Sequence, residues 1–209
     1  MAEDIFEELG LEKESKEKKK EKQEENSLEV LDKLSKELQQ FKTIERKMEY
    51  LEKLLSKEHN QTKRRAIFTL MASLQAERKW FNSAAKSLSN AADLAETFRE
   101  KIDLFLRAML FYVKAQDYLE AEATMRKALV LAIPREKQEI QKSLVNAYLQ
   151  QAKEFENNKQ LTKAINVLSR VLVQKIDKEL EREVKTKMAE LYDRIGRPIE
   201  ANRIRSEIK

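Results

Sequence analysis

Apolar residues recur every three to four positions from Ser27 to the end of the chain, almost without a break. Leu28, Leu31, Leu34 and Leu38 open the series, and Ile44, Met48, Leu51, Leu54 and Leu55 continue it. Such spacing lines up one face of an α-helix, so the pattern predicts amphipathic helices. They span 28–40, 43–57, 62–78, 81–97, 99–115, 118–132, 135–157, 160–176, 178–195 and 198–208. Short connections make successive helices antiparallel neighbours, packed as hairpins. Pro134 and Pro198 open helices, where a missing N–H is harmless, and Gly196 reads as a left-handed helix stop. Residues 12–26, EKESKEKKKEKQEEN, show no apolar stripe and read as a disordered charged tether. The chain therefore divides into an acidic, charged N-terminal segment, 1–26, and an all-α domain, 27–209. Within the segment, Ile5, Phe6, Leu9 and Leu11 sit at helical spacing among acids. They form either a docking motif for another protein or a stretch that folds back onto the helices.

The helices repeat in pairs. WFNSAAKSLSNAADLA (80–95), DYLEAEATMRKALVLA (117–132), QLTKAINVLSRVLVQ (160–174) and RPIEANRIRSEIK (197–209) align on Ala84, Ala121, Ala164 and Ala201. The anchors are 37, 43 and 37 residues apart. Seven residues after each stand Ala91, Ala128, Val171 and Ile208. In the helix before each anchor, Phe105, Met109 and Tyr112 correspond to Phe68, Ala72 and Gln75, to Tyr148, Ala152 and Phe155, and to Lys185, Ala189 and Tyr192. Small residues let two helices and the next pair approach closely, while the large ones fill the space between layers.

This order of large, small, aromatic, alanine, bulky and alanine resembles the tetratricopeptide repeat, most closely over Phe105 to Pro134. The resemblance covers about 28–208 and implies an α-solenoid of four to five antiparallel helical hairpins. Ala72, Met109, Ala152 and Ala189 stand where the family has glycine, its closing proline survives only as Pro134, and the spacings exceed its 34 residues. The extra residues before Ala164 predict a first helix projecting by roughly two turns. Pair 28–57 matches less well, with Lys47 in place of alanine, and reads as a degenerate repeat or a capping hairpin. Other helical-hairpin solenoids, those like the soluble NSF attachment proteins included, share these features.

The resemblance also implies a concave groove lined by the first helix of each pair. Its lining would be Thr69 and Ser73, then Leu106, Leu110, Val113 and Lys114, then Asn146, Leu149 and Lys153, with Arg107 beside them. Leu106, Leu110, Val113 and Leu149 make the centre apolar, which suits an amphipathic helix or an extended apolar segment. The carboxylate clamp of the chaperone-binding subgroup is not expected, because Arg107 lacks its companions. Ala84, Ala91, Ala121, Ala128, Ala164 and Ala201 are expected to serve packing.

Composition narrows the function. Two glycines, two prolines and no cysteine leave too few turn residues for sheets or phosphate loops, and remove thiol and zinc-cysteine chemistry. His59, alone in a polar junction, reads as an exposed loop histidine. Acid pairs such as Glu120 with Glu122 point to different helix faces. No nucleotide-binding or metalloprotease motif occurs. The expectation is no enzyme, no metal and no cofactor. Trp80 reads as a packing residue, with a partner contact as the lesser alternative.

Net charge is +5, with −4 on residues 1–26 and +9 on the remainder. Lys63-Arg64-Arg65, Arg126-Lys127 and Arg135-Lys137 therefore keep RNA or other nucleic acid as a lesser alternative to a protein or peptide partner. Ile199, Ile204 and Ile208 suggest an uncovered last helix and self-association. The acidic start lacks a signal sequence, and the longest uncharged run, Ala66 to Ala76, is too short for a membrane span, so a cytoplasmic protein is expected.

Overall fold

The computed structural model describes residues 29–208, all in helices and their connections. The charged segment 1–26, with its expected disorder and its apolar motif, lies outside them, as does Leu28. In order come α1 (29–38), α2 (Ile44–Lys57), α3 (Gln61–Glu77), α4 (Phe81–Asp93), α5 (Phe98–Lys114), α6 (Tyr118–Leu131), α7 (Pro134–Asn157), α8 (Leu161–Val173), α9 (Lys178–Arg194) and α10 (Pro198–Glu207). Neighbours along the chain pack against one another, and α5 also touches α7 directly. The architecture is an all-α solenoid of antiparallel helical hairpins.

Side-chain caps set many of the boundaries. Thr43, Asn60, Thr97, Asp117 and Asp177 each accept a backbone N–H from the first turn of the helix that follows. Two predicted helices are too long for this reason. The helix expected over 81–97 ends at Asp93 because Thr97 turns away to cap α5, accepting from the Glu100 N–H at 3.2 Å. Likewise the helix expected over 160–176 ends at Val173, and Asp177 caps α9 through the Leu180 N–H at 2.8 Å. Pro134 starts α7, and Glu136 reaches back to the Ile133 N–H at 3.1 Å. Residues 134–139 are all exposed, so the first turns of this 24-residue helix project beyond its neighbours.

A backbone device marks the four hairpins from α3 to α10. Lys79, Gln116, Lys159 and Gly196 follow α3, α5, α7 and α9 with φ of 60°, 62°, 58° and 76°. The next residue donates its N–H to a carbonyl five positions back: Trp80 to Gln75, Asp117 to Tyr112, Gln160 to Phe155 and Arg197 to Tyr192, at 2.8–2.9 Å. This is the left-handed cap that satisfies the last carbonyls of a helix and reverses the chain.

Two hydrophobic clusters form the interior. The larger runs from Ala72 to Leu191, and Ala84, Ala91, Ala121, Ala128, Ala164 and Ala201 are wholly buried within the solenoid. The smaller joins Leu34, Leu38, Leu51, Ala66, Ile67, Met71 and Leu74 of α1, α2 and α3. Helix α3 serves both, presenting Ala72 to one and Ile67, Met71 and Leu74 to the other. Polar groups bridge the joint: the Ser87 hydroxyl donates to the Gln75 side-chain amide oxygen at 2.8 Å, and the buried Arg65 meets the partly exposed Glu100 at 2.9 Å.

Three expectations about single residues change here. Trp80 is 54% exposed, because it stands in the cap turn before α4 rather than on a helix face. Phe81 does the packing instead, stacked on Phe111 at 6.1 Å. Of the last helix's isoleucines, only Ile199 is open, at 80% exposure; Ile204 packs on the larger core and Ile208 is half-buried. The basic run 63–65 is engaged internally. Arg64 donates to the Leu55 and Glu58 carbonyls at 3.1 and 2.9 Å, Arg65 is buried and paired with the partly exposed Glu100, and Lys63 lies 3.5 Å from Glu58.

Candidate functional site

Helix α7 carries two polar-edged stripes, each at i, i+3, i+4, i+7 spacing, on either side of one ridge. Ala147, Gln150, Gln151 and Glu154 face α5; Leu149, Ala152, Lys153 and Glu156 face α9. Residues at these intervals share a helix face, so each stripe forms one wall of a crevice.

The α5–α7 crevice encloses 220 Å³, its opposite wall formed by Arg107, Leu110, Phe111, Val113 and Lys114. Val113 is buried and forms the floor, whereas Leu110 is 41% exposed on the wall. Neither Arg107 nor Lys114 has a carboxylate partner among the described residues; Lys114 sits 5.7 Å from the centre of the Phe81 ring. Glu154 accepts a hydrogen bond from the Gln150 amide at 3.4 Å. Gln151 is only 7% exposed, and its Oε1 has no hydrogen-bond partner. A buried, unpaired amide oxygen is unusual, since the great majority of such groups find a donor.

The α7–α9 crevice is larger, 350 Å³, and more apolar. Leu149, Ala152, Leu168, Leu180, Val184 and Leu191 line it, with Lys153, Glu156, Glu183 and Lys187 at the rim. Glu156 ties its two walls together, accepting from Lys187 at 3.0 Å and from Arg194 at 2.5 Å. The hydrogen bond from Lys187, reinforced by Arg194, holds the Glu156 carboxyl below the usual carboxylate range.

The ten residues expected to line one groove thus separate. Arg107, Leu110, Val113 and Lys114 belong to the first crevice, Leu149 and Lys153 to the second. Thr69, Ser73, Leu106 and Asn146 line neither. The Thr69 and Ser73 hydroxyls donate to carbonyls one turn back on their own helix, Arg65 and Thr69, at 3.0 and 3.2 Å. Leu106 packs on the larger core, and Asn146 is exposed on α7. Gln150, Gln151 and Glu154 lie outside the expected groove, which draws on one stripe of each first helix; their signal in the sequence is the i, i+3, i+4, i+7 series 147, 150, 151 and 154.

Little else on the surface offers chemistry. His59 is exposed in the α2–α3 connection. Among the described residues no group of three histidine or acidic side chains is placed to hold a metal ion, and no helix is long and apolar enough to cross a membrane. A partly buried polar cluster links α6, α7 and α8: the Tyr148 hydroxyl donates to Glu122 at 3.2 Å, and Arg170 lies 3.5 Å from the same oxygen and 4.6 Å from the centre of the Tyr118 ring. Burial, with Glu122 beside it, pushes the Tyr148 hydroxyl far above its ordinary range, so it stays protonated and serves as a donor.

Fold and crevices together define a class, the helical-hairpin solenoid with an indented first-helix face. No protein-family model matches the chain, and no curated protein matches it. Among solved structures the chain is similar to MamA AMB-1, at 15% identity and a TM-score of 0.37 over 86% of this chain and 95% of that one. A likeness that loose adds nothing to what the helix packing already defines.

Proposed function

We propose that the chain is a tetratricopeptide-like, non-catalytic scaffold that holds a segment of a partner protein along its first-helix face, the concave face in solenoids of this kind. The carrying observation is the pair of crevices flanking α7, apolar at the base and charged at the rim. At 220 and 350 Å³ they are at or below the low end of small-molecule sites, and each suits one or two side chains of a bound segment. Two adjacent seats on one ridge fit a segment that places side chains in succession, as in helix-in-groove and extended-peptide recognition. The internal engagement of residues 63–65 weighs against nucleic acid as the main partner.

The test is capture of a partner from lysate of the source cell, with nuclease present. Leu110→Asp and Leu149→Asp each place a charge in one crevice and should reduce capture by more than about tenfold, since an unpaired buried charge is strongly unfavourable. Circular dichroism should show helicity retained, because both side chains stay partly open to solvent, Leu110 at 41% exposure and Leu149 half-buried. Undiminished capture by both variants would overturn the assignment of this face, and recovery of nucleic acid alone would move the function to the basic surface.

A further inference from the structure

Resting on that reading of the first-helix face, we propose that the α5–α7 crevice is the docking site of the chain's own residues 3–11, which compete there with an external partner. Three features of the crevice ask for an occupant of definite chemistry. Gln151 Oε1 is buried and unpaired, and needs an N–H donor. Arg107 and Lys114 lack carboxylates among the described residues. Leu110 leaves an apolar side chain open at the wall. An acidic peptide segment with apolar side chains meets all three: a backbone N–H for Gln151, carboxylates for the two cations, and a hydrophobic contact for Leu110.

Residues 3–11, EDIFEELGL, have that chemistry. Glu3, Asp4, Glu7 and Glu8 alternate with Ile5, Phe6, Leu9 and Leu11, and no basic residue occurs before Lys13. The remainder of the chain from residue 27 carries the opposite sign, +9. Length permits the contact. Residues 12–28 span up to ~60 Å when extended at about 3.5 Å each. The crevice lies between the second and third first-helix layers beyond α1, roughly 20–30 Å away at about 10 Å per packed helix. Residues 12–27, rich in Lys and Glu, hold no apolar residue to compete for the seat.

The absence of cysteine makes the test direct. In the full chain, Gly10→Cys is paired with Gln150→Cys on the crevice rim, and separately with Val130→Cys, exposed on α6, at a similar distance along the sequence. Docking should make the intramolecular disulfide of the first pair form at least about tenfold faster than that of the second, because binding raises the local concentration of the segment. Arg107→Glu with Lys114→Glu, and separately Gln151→Met, should bring the first rate down toward the second. Equal rates in the two pairs would overturn the proposal, as would disulfide-linked dimers in place of the intramolecular product, which would assign the seat to a second copy. The scaffold reading is judged separately, by partner capture with Leu110→Asp and Leu149→Asp. If those variants lose capture while the two disulfide rates are equal, the face binds a partner and only the self-docking falls.

Discussion

The first two helices and the eight that follow are built by different rules. From α3 onward, fully buried alanines recur at each hairpin, and a left-handed residue closes each first helix. The α1–α3 cluster has one buried alanine, Ala66, and fills its interior with leucine, isoleucine and methionine. Among the described residues the α1–α2 turn contains no positive φ, and α2 ends in an extended residue, Glu58. The N-terminal unit therefore does not continue the repeat. It closes the stack with a leucine core of its own, joined to the body through the two faces of α3. Solenoids expose the apolar face of a terminal repeat unless something covers it.

The sharpest way to break this contrast is to cut one buried leucine from each region. Leu51 and Leu144 are both wholly buried. Replacing either by alanine should cost about 2–5 kcal/mol at its own site. Leu144→Ala should lower the urea midpoint of the whole chain. With Leu51→Ala, hydrogen exchange should speed up across 44–74 while α5 to α8 keep their protection. If the body loses protection equally in that variant, the two clusters are one cooperative unit and the N-terminal helices are not a separable cap.

A smaller effect separates the regions at their turns. Lys79, Gln116 and Lys159 hold backbone conformations that suit glycine, and a side chain there costs about 1–2 kcal/mol. Each single change to glycine should raise stability by about 1 kcal/mol, read as a rise in the thermal midpoint. Gly196→Ala should lose a comparable amount. A Cβ there meets nothing within 4 Å, so the loss would come from the backbone alone. Glycine placed in the α1–α2 turn should give no such gain, because no residue there is left-handed.

These turns also show what can be read from sequence. Each left-handed residue stands five positions before an anchor alanine: 79 before 84, 116 before 121, 159 before 164 and 196 before 201. Gly196 announced the device, but lysine and glutamine carry no such flag, so the other three were invisible without the register the alanines supply. The repeat was legible because small residues at close contacts have few substitutes. The ends of α4 and α8 were not, because an apolar run continues past the point where Thr97 or Asp177 turns away to cap the next helix. The crevices were half legible. Which stripes of α7 face α5 and α9 depends on how the layers splay, and that follows from tertiary packing, not from the pattern of any one helix.

The smallest expected effect divides the body itself. Helices α5 and α7 touch directly, whereas α7 and α9 flank an open crevice bridged by Glu156 with Lys187 and Arg194. Partly exposed ion pairs contribute about 0–1 kcal/mol, so Glu156→Gln should destabilise the chain by that much at pH 7. The sign with pH follows from the depressed carboxyl. Its ordinary value is 4.5 and its folded value lies lower, so the unfolded chain takes up the proton first as acid is added. The stabilisation is complete above the ordinary range, erodes as pH falls below about 4.5, and is gone below the folded value. The gap in urea midpoint between wild type and Glu156→Gln should therefore close on acidification, while the other carboxyls titrate alike in both proteins. Added salt should narrow the gap at pH 7 for the same electrostatic reason. A gap that persists unchanged at low pH would mean that Glu156 holds α7 to α9 by packing and neutral hydrogen bonds, and that the second crevice is kept in shape by contact, as the first is.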